Sequence, residues 1–315
     1  MIELTWALLL GESLAGEPLH LVGVVADEAV RLELTRSGRR LRGEWTAGDA
    51  PALAARGRAR GQVVLVKFGD ARLEGTLRDG TLEGSLSNKS DAGISVTLGD
   101  GVSAPVLISR DETWRREWDG KPSQEIPVSL PQLLLADMDA QARIDAALSP
   151  ESLLDASRED IEADGWVDSV SWSVPWQAEG LISLDVVVMG SGAYPTATTR
   201  RLVIDLARGE PLGAEIFAPE GRDALTGRLD AALREEIALA VADEPEIAGL
   251  LADVSFSETN LSQFSADESG LVFTVDLGLP HIASAAMAPP VLRVPWEELG
   301  PYLTADCPLR RLIPG

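Results

Sequence analysis

Four carboxylates stand beside apolar runs of the sequence and are the first candidates for chemistry: Asp185, Asp205, Asp276 and Glu297. A hydrolase that acts on carbohydrate through paired carboxylates needs two of them close together, one protonated and one ionised. A carboxylate at a strand end more commonly faces water. We therefore assign no catalytic residue and favour a protein that is not an enzyme, with such a hydrolase as the alternative.

Three of the eight tryptophans, Trp166, Trp172 and Trp176, follow one predicted strand. Side chains alternate between the two faces of a strand, so Trp166 and Trp172 are expected on one face. Trp176 joins them unless Pro175 shifts the register. Aromatic rings on one face can stack on sugars, although packing in a core is the commoner role of such side chains. We keep all three as candidate binding residues.

The residue types give little indication of thiol, metal or cofactor chemistry. Cys307 is the only cysteine, and with His20 and His281 it cannot supply a zinc site of ordinary ligand number. The segments "SNKSDAG" and "DMD" offer oxygen ligands but lack the spacing of a calcium loop, so a calcium-stabilised module is a weak third hypothesis. We expect neither a metal nor a cofactor.

A glycine-rich segment, "GSGAYP" at Gly190–Pro195, separates two strand-like runs. A dinucleotide-binding fingerprint would need a glycine where Pro195 stands, and Ser191 lacks the spacing of a nucleophile elbow. We interpret Gly190, Gly192 and Pro195 as a structural turn. Glycine permits unusual backbone angles there, and proline fixes the φ angle at the residue where the chain leaves the turn.

The elements that must position these residues fall into two regions. Up to residue 110, short alternating runs are joined by turn signals such as Ser37-Gly38 and Asp79-Gly80, which predicts an antiparallel meander or a small barrel. The charged stretch 110–125 is a domain boundary. We predict an N-terminal all-β domain over 1–112 and an α+β domain over 123–306.

In the second region, the spacing of apolar residues is helical in some segments and alternates as in a strand in others. Leu133, Leu134, Met138, Ile144 and Leu148 predict one helical stripe, and Ser149-Pro150 predicts the start of a second helix. Three antiparallel strands follow up to Asp205, then a long amphipathic helix after Phe217 with leucines spaced four apart. A hairpin around Glu268-Ser269-Gly270, a last strand and a short helix complete an antiparallel sheet backed by helices.

The charge distribution restricts the partners. The chain has a net charge of -23. Residues 116–315 carry 34 of its 50 acidic side chains and 13 of its 27 basic side chains. Such a surface repels phosphate backbones, so nucleic acid is not an expected partner, whereas a basic partner is favoured. No apolar run is long enough to span a membrane. No signal peptide is visible, since Glu3 stands where such a segment carries Lys or Arg.

The order of motifs in the second region resembles the C-terminal extracellular domain of RsiV-type anti-sigma factors, catalogued as domain of unknown function 3298. That family has a Gly-Gly-Ala-His/Tyr-Pro turn, an Asp-Leu-x-x-Gly strand end, a Leu-Phe pair before a helix, a Gly-Ile/Leu-x-Phe strand, an Ile-Ala-Pro segment and a closing Ile-Pro-Tyr. The corresponding segments here are Gly190–Pro195, Asp205–Gly209, Ile216-Phe217, Gly270–Phe273, "HIASAAMAP" at 281–289 and "VPWEEL" at 294–299. The preceding segment from Gln124 resembles the domain named after the peptidoglycan deacetylase PdaC.

This resemblance implies an extracytoplasmic domain of the cell envelope, periplasmic or secreted, that binds a protein or a cell-wall glycan without catalysis. RsiV-type domains recognise lysozyme, a basic protein, which an acidic domain attracts electrostatically. Tyr194 and His281 fall within matching segments and are candidate binding residues. The full family segment is Tyr-Glu-Ile-Ala-Pro-Tyr-Ala-Ala-Gly. Its Tyr-Glu is Pro280-His281 here, and its final Gly is Pro289, so the ligand need not be the same. The alternative is a hydrolase of cell-wall carbohydrate.

Overall fold

The computed structural model describes residues 18–25, 28–48, 50–78, 81–87, 94–99, 105–117, 122–164, 166–190, 196–241, 245–277 and 289–314. Internal contacts group them into two compact units. Unit 1 contains the described residues up to Ser109 together with Pro131–Ala146 and Leu206–Gly209. Unit 2 contains Arg110–Leu130, Ala147–Asp205 and the described residues from Glu210. The contiguous division at 1–112 and 123–306 stays a prediction.

Eight antiparallel strands of unit 1 form a closed barrel in chain order, which confirms the predicted meander. Strands β1 and β8 close it through the pairs Val22↔Gly99 and Gly23↔Leu98. The strands are β1 Leu19–Val25, β2 Glu28–Ser37, β3 Arg40–Ala47, β4 Leu53–Arg60, β5 Val63–Phe68, β6 Ala71–Arg78, β7 Thr81–Ser87 and β8 Ile94–Gly99.

The barrel interior is filled by the apolar half of each alternating strand. Leu32, Leu34 and Leu73 are fully or almost fully buried, and Trp45 stacks on Phe68 with ring centroids 4.3 Å apart. Eight strands enclose a space that side chains alone can fill. The interior is therefore a packed core. The hairpin predicted at Asp79-Gly80 is confirmed by the pair Arg78↔Thr81, while its two turn residues lie outside the described residues.

A six-stranded sheet, which we call the central sheet, contains most of the remaining strands in the order β14-β13-β12-β11-β10-β9. Strands β11, β12 and β13 are antiparallel neighbours, as predicted. Its strands are β9 Val106–Arg116, β10 Gln124–Leu134, β11 Val167–Ala178, β12 Leu181–Gly190, β13 Thr196–Asp205 and β14 Glu210–Leu212.

Two predictions for this region are wrong in part. Leu133 and Leu134 belong to β10, and the helix begins only at Met138, whose side chain is exposed and therefore lies off the predicted apolar stripe. Strands β10 and β11 pair in parallel through Val128↔Val170, so the sheet is not purely antiparallel. A parallel pair needs a long crossover, which here contains three helices. They are α1 Met138–Ala147, α2 Pro150–Leu154 and α3 Arg158–Asp164.

The C-terminal part of unit 2 packs one long helix and a three-stranded sheet on the central sheet. Helix α4, Pro219–Ala240, buries Leu225, Leu229, Leu233 and Ile237 at the predicted spacing. These leucines share a core with Leu181 and Val203 of the central sheet. The helix after Phe217 therefore covers this sheet, as predicted. The remaining elements are α5 Pro245–Leu250, β15 Phe264–Asp267, β16 Gly270–Thr274, β17 Val291–Pro295 and α6 Trp296–Leu299.

The protein is therefore an α+β protein with a barrel in its N-terminal part. In the portion of the chain that the structure describes, no helix is both long enough and apolar enough to cross a membrane.

Candidate functional site: the open face of the central sheet

One face of the central sheet is covered over only part of its length. Ser183 of β12 is fully buried there, and its Oγ accepts a hydrogen bond from the backbone N–H of Ala266 in β15, at 3.2 Å. The next residues of β12 on the same face, Asp185, Val187 and Met189, are half-buried or exposed. The cover formed by β15 thus ends between Ser183 and Asp185.

We call the uncovered part the open face. Strand register places its side chains in three rows across β11, β12 and β13, because directly paired residues point to the same side of a sheet. All of its members are half-buried or exposed. The rows are Ser173, Asp185 and Arg201, then Ser171, Val187 and Thr199, then Ser169, Met189 and Ala197.

Asp185 is the electrostatic centre of the open face. Its Oδ2 lies 3.9 Å from Nε of Arg201, and the two side chains are 23% and 25% exposed. Its Oδ1 is shielded from solvent and has no hydrogen-bond partner among the residues that the structure describes. Burial raises the pKa of this carboxyl, and the positive charge of Arg201 offsets part of that effect. A donor group of a ligand reaches this oxygen only when the carboxylate turns it toward the open face.

The three candidate tryptophans do not form one platform. A register shift between Ser173 and Trp176, around Pro175, puts Trp172 opposite Val186 and Trp176 opposite Ser183. Since Ser183 and Val186 point to opposite faces, so do Trp172 and Trp176. The register shift at Pro175 that the sequence left possible is present. The prediction that all three tryptophans could form one platform for sugars is therefore wrong.

Each tryptophan has a different environment. Trp176 packs in the core of unit 2, with its ring 5.7 Å from that of Trp296. Trp172 is half-buried, and Trp166 is 37% exposed just before β11. Trp166 is therefore the most accessible of the three and stays a candidate binding residue.

The predicted turn is described only at its start. Gly190 ends β12 and pairs with Thr196 of β13, which confirms that the segment joins neighbouring antiparallel strands. Gly192, Tyr194, Pro195 and His281 lie outside the described residues. Tyr194 belongs to the segment that joins β12 to β13, and its binding role stays a prediction.

Asp185 and Asp205, two of the four carboxylates considered for acid–base chemistry, are too far apart to act as a pair. Asp205 pairs with Leu181, four residues along β12 from Asp185, which is about 13 Å at the rise of a strand. Paired carboxylates of glycosidases are about 5–9.5 Å apart. Asp205 is buried, whereas Asp276 and Glu297 are exposed. The charged neighbour of Asp185 is an arginine and not a second acid.

Cys307 and His20 lie outside the open face. Cys307 is buried, and this burial raises the pKa of its thiol, so the nucleophilic thiolate is disfavoured. His20 lies in barrel strand β1, 3.8 Å from Glu33. The described part of the chain contains no group of three His, Cys, Asp or Glu side chains arranged to hold a metal ion.

Sequence reasoning missed Arg201 and the three serines. The segment "SVSWS" at 169–173 alternates serine with larger residues, which indicates a strand with one polar face. Arg201 is identified only by its register with Asp185, which no local pattern encodes.

Comparison with known proteins finds similar solved structures, among them two proteins of the DUF3298 family. No protein-family model matches the sequence, and no curated protein matches it. A DUF3298 family member from Bacteroides fragilis is 16% identical with a TM-score of 0.47, over 66% of this chain and 97% of that one. A DUF3298 family protein from Pseudomonas aeruginosa is 16% identical with a TM-score of 0.46, over 69% of this chain and 99% of that one. Both carry the family name of the domain that the sequence resembles.

Proposed function

We propose that unit 2 is a non-catalytic binding domain of the cell envelope that holds a protein or cell-wall glycan ligand on the open face. The observation that carries this proposal is the unpaired Oδ1 of Asp185, at the point where the cover of the sheet ends. Buried polar atoms are normally hydrogen-bonded, so a rotation of the Asp185 carboxylate that brings Oδ1 to a ligand donor satisfies an atom that the fold leaves unpaired.

The groups around Asp185 suit a ligand rich in hydrogen-bond donors. Ser171 and Ser173 are exposed, Thr199 is half-buried, and all three can donate or accept through their hydroxyls. An ammonium, guanidinium or sugar hydroxyl can donate to the Asp185 carboxylate. Sugars and basic side chains both satisfy this description.

Net charge favours the basic protein among these ligands. Residues 116–315 carry 34 acidic and 13 basic side chains. An excess of this size attracts cationic proteins over a distance and raises their association rate at low salt. Extracytoplasmic localisation rests on the family resemblance and is part of the proposal.

Binding to the open face can be tested with lysozyme as the basic protein and soluble peptidoglycan fragments as the glycan. We expect Asp185→Asn and Ser171→Trp each to weaken binding at least tenfold. The first removes the charged acceptor and the second blocks the face with a bulky ring. Glu297→Gln removes one exposed charge elsewhere in unit 2 and is the matched control.

Two results would contradict the proposal. One is that neither probe binds the protein, and the other is that the control variant loses as much affinity as the two open-face variants. Release of new reducing ends from peptidoglycan, abolished in Asp185→Asn, would instead support the hydrolase alternative.

A further inference from the structure

A row of four cations crosses the outer wall of the barrel. Register pairs Arg42 of β3 with Arg56 of β4, Arg56 with Lys67 of β5, and Lys67 with Arg72 of β6. Directly opposite side chains in a sheet have their Cβ atoms about 4.5–5.5 Å apart, and like charges so placed repel each other. Arg40 and Arg58 form a second pair beside this row. We call these six residues the basic patch.

The charges of the basic patch are largely uncompensated. All six side chains are exposed. Arg72 forms an ion pair with Glu74 at 2.6 Å. Within the described ranges, the other five cations have no ion pair. Four cations placed opposite one another repel each other and cost stability, so a compensating anion outside the fold accounts for them best.

The curvature of the barrel restricts the shape of that anion. Strands β3 to β6 span three of the eight steps around a closed barrel, so the first and last side chains of the row point about 135° apart. A flat membrane surface cannot touch all four cations, and neither can a straight rigid duplex. A flexible chain that bends around the wall can.

The aromatic residues argue against a nucleic acid as this flexible chain. Single-stranded nucleic acids bind by stacking their bases on exposed aromatic rings. In the part of unit 1 that the structure describes, the aromatic rings of Phe, Tyr and Trp type are those of Trp45 and Phe68, and both are buried inside the barrel. Arginine-rich surfaces pair well with carboxylate, sulfate and phosphate groups.

We propose that the outer wall of the barrel at β3–β6 binds a flexible anionic polysaccharide, whose acidic groups lie along the row from Arg42 to Arg72. This site is separate from the open face, and it does not depend on what that face binds.

The experiment measures binding of the full chain to alginate, a linear carboxylated polysaccharide, over a series of salt concentrations. The triple variant Arg42→Gln/Arg56→Gln/Lys67→Gln is compared with Arg115→Gln/Arg234→Gln/Arg311→Gln, which removes three exposed cations elsewhere. We expect the first triple variant to lose at least tenfold in affinity and to show a weaker salt dependence. The second should stay within threefold of wild type, and neutral dextran should not bind.

Thermal unfolding of the same variants gives a second readout that needs no ligand. Removing opposed like charges should leave Tm unchanged or raise it. A lower Tm for the first triple variant would show that these cations stabilise the fold, and would overturn the proposal. Three other results would also overturn the proposal. One is that alginate does not bind at low salt, and another is that the second triple variant loses as much affinity for alginate as the first. The third is that oligo-dT or phosphatidylglycerol vesicles bind to the basic patch more tightly than alginate does.

Discussion

At the scale of single residues, burial and a neighbouring charge shift the pKa of Asp185 in opposite directions. Its side chain is mostly buried, which disfavours the ionised form, while Arg201 at 3.9 Å favours it. Burial is the larger effect, so the pKa of Asp185 is raised in the folded protein. A carboxyl with a raised pKa opposes folding when it is ionised. This penalty is absent below the ordinary carboxyl pKa and grows as the pH rises through the raised value.

We therefore expect Asp185→Asn to stabilise the protein at pH 7, by about 1 kcal/mol if the amide satisfies the buried position. The difference from wild type should shrink as the pH falls and vanish near pH 3, where the carboxyl is protonated in both states. Thermal unfolding from pH 3 to pH 8 measures it. A destabilised variant at pH 7 would mean that the contact with Arg201 outweighs burial.

At the scale of elements, the turn between β13 and β14 shows why the Asp-Leu-x-x-Gly segment ends in glycine. Gly209 has a φ of 67°, and a Cβ built on it would lie 2.1 Å from the carbonyl oxygen of Ala140 in α1. Nε of Arg143 also donates to the carbonyl of Arg208, at 2.8 Å. The turn packs directly on the backbone of the helix, and only glycine fits.

We expect Gly209→Ala to destabilise the protein by roughly 1–3 kcal/mol, from the left-handed backbone and the displacement of α1. Gly227→Ala is the matched control, because a Cβ at that exposed position of α4 meets nothing within 4 Å. Alanine in a helix interior should stabilise by about 1 kcal/mol. Urea unfolding of both variants separates the two effects, and equal behaviour would contradict the packing argument.

Gln141 connects helix α1 to the rest of unit 1. Its Oε1 accepts from the N–H of Leu135 at 2.7 Å and from Nη2 of Arg31 in β2 at 2.9 Å. Its Nε2 donates to the carbonyl of Leu133 at 2.9 Å. The side chain is 5% exposed, so these bonds are made away from water.

Gln141→Met keeps the length of the side chain and removes these hydrogen bonds. We expect a loss of roughly 2–4 kcal/mol, since at least two buried backbone groups lose their partner. The control is Gln177→Met at an exposed position of β11, which should change stability by less than about 0.5 kcal/mol. Equal stability of the Gln141 variant and wild type would show that water replaces the amide.

At the scale of the whole molecule, unit 1 is built from segments that are far apart in the chain. Val22 lies on the outer side of β1, opposite Arg31, and is nevertheless fully buried. Arg31 in turn binds Gln141 of α1. The barrel closes by itself, but part of its outer wall is covered by a segment that follows more than 100 residues later.

We expect a fragment of residues 18–109 to fold, because its strands close and its core is complete, but to be less stable than the barrel in the full chain. Loss of the hydrogen bond from Arg31 to Gln141 should cost about 1–3 kcal/mol. Trp45 is the only tryptophan of this fragment, so its fluorescence reports unfolding. A fragment as stable as the full chain would contradict a stabilising role for Pro131–Ala146.

The sequence alone determined those features that depend on local pattern. Alternation along 28–47 predicts strands with an apolar face, and leucines four apart predict helix α4 with its buried stripe. The turn at Gly190–Pro195 predicts antiparallel neighbours, and the pair Gly190↔Thr196 confirms it. Residues within one element control these features, so no distant partner is needed to infer them.

Tertiary structure decided which surfaces meet and which stay uncovered. The shift at Pro175 turns Trp176 into the core, β10 pairs in parallel with β11, and the cover of the sheet ends just before Asp185. The cationic row from Arg42 to Arg72 exists only because four strands align in register. Register and coverage depend on contacts between segments distant in the chain, and no single segment encodes them.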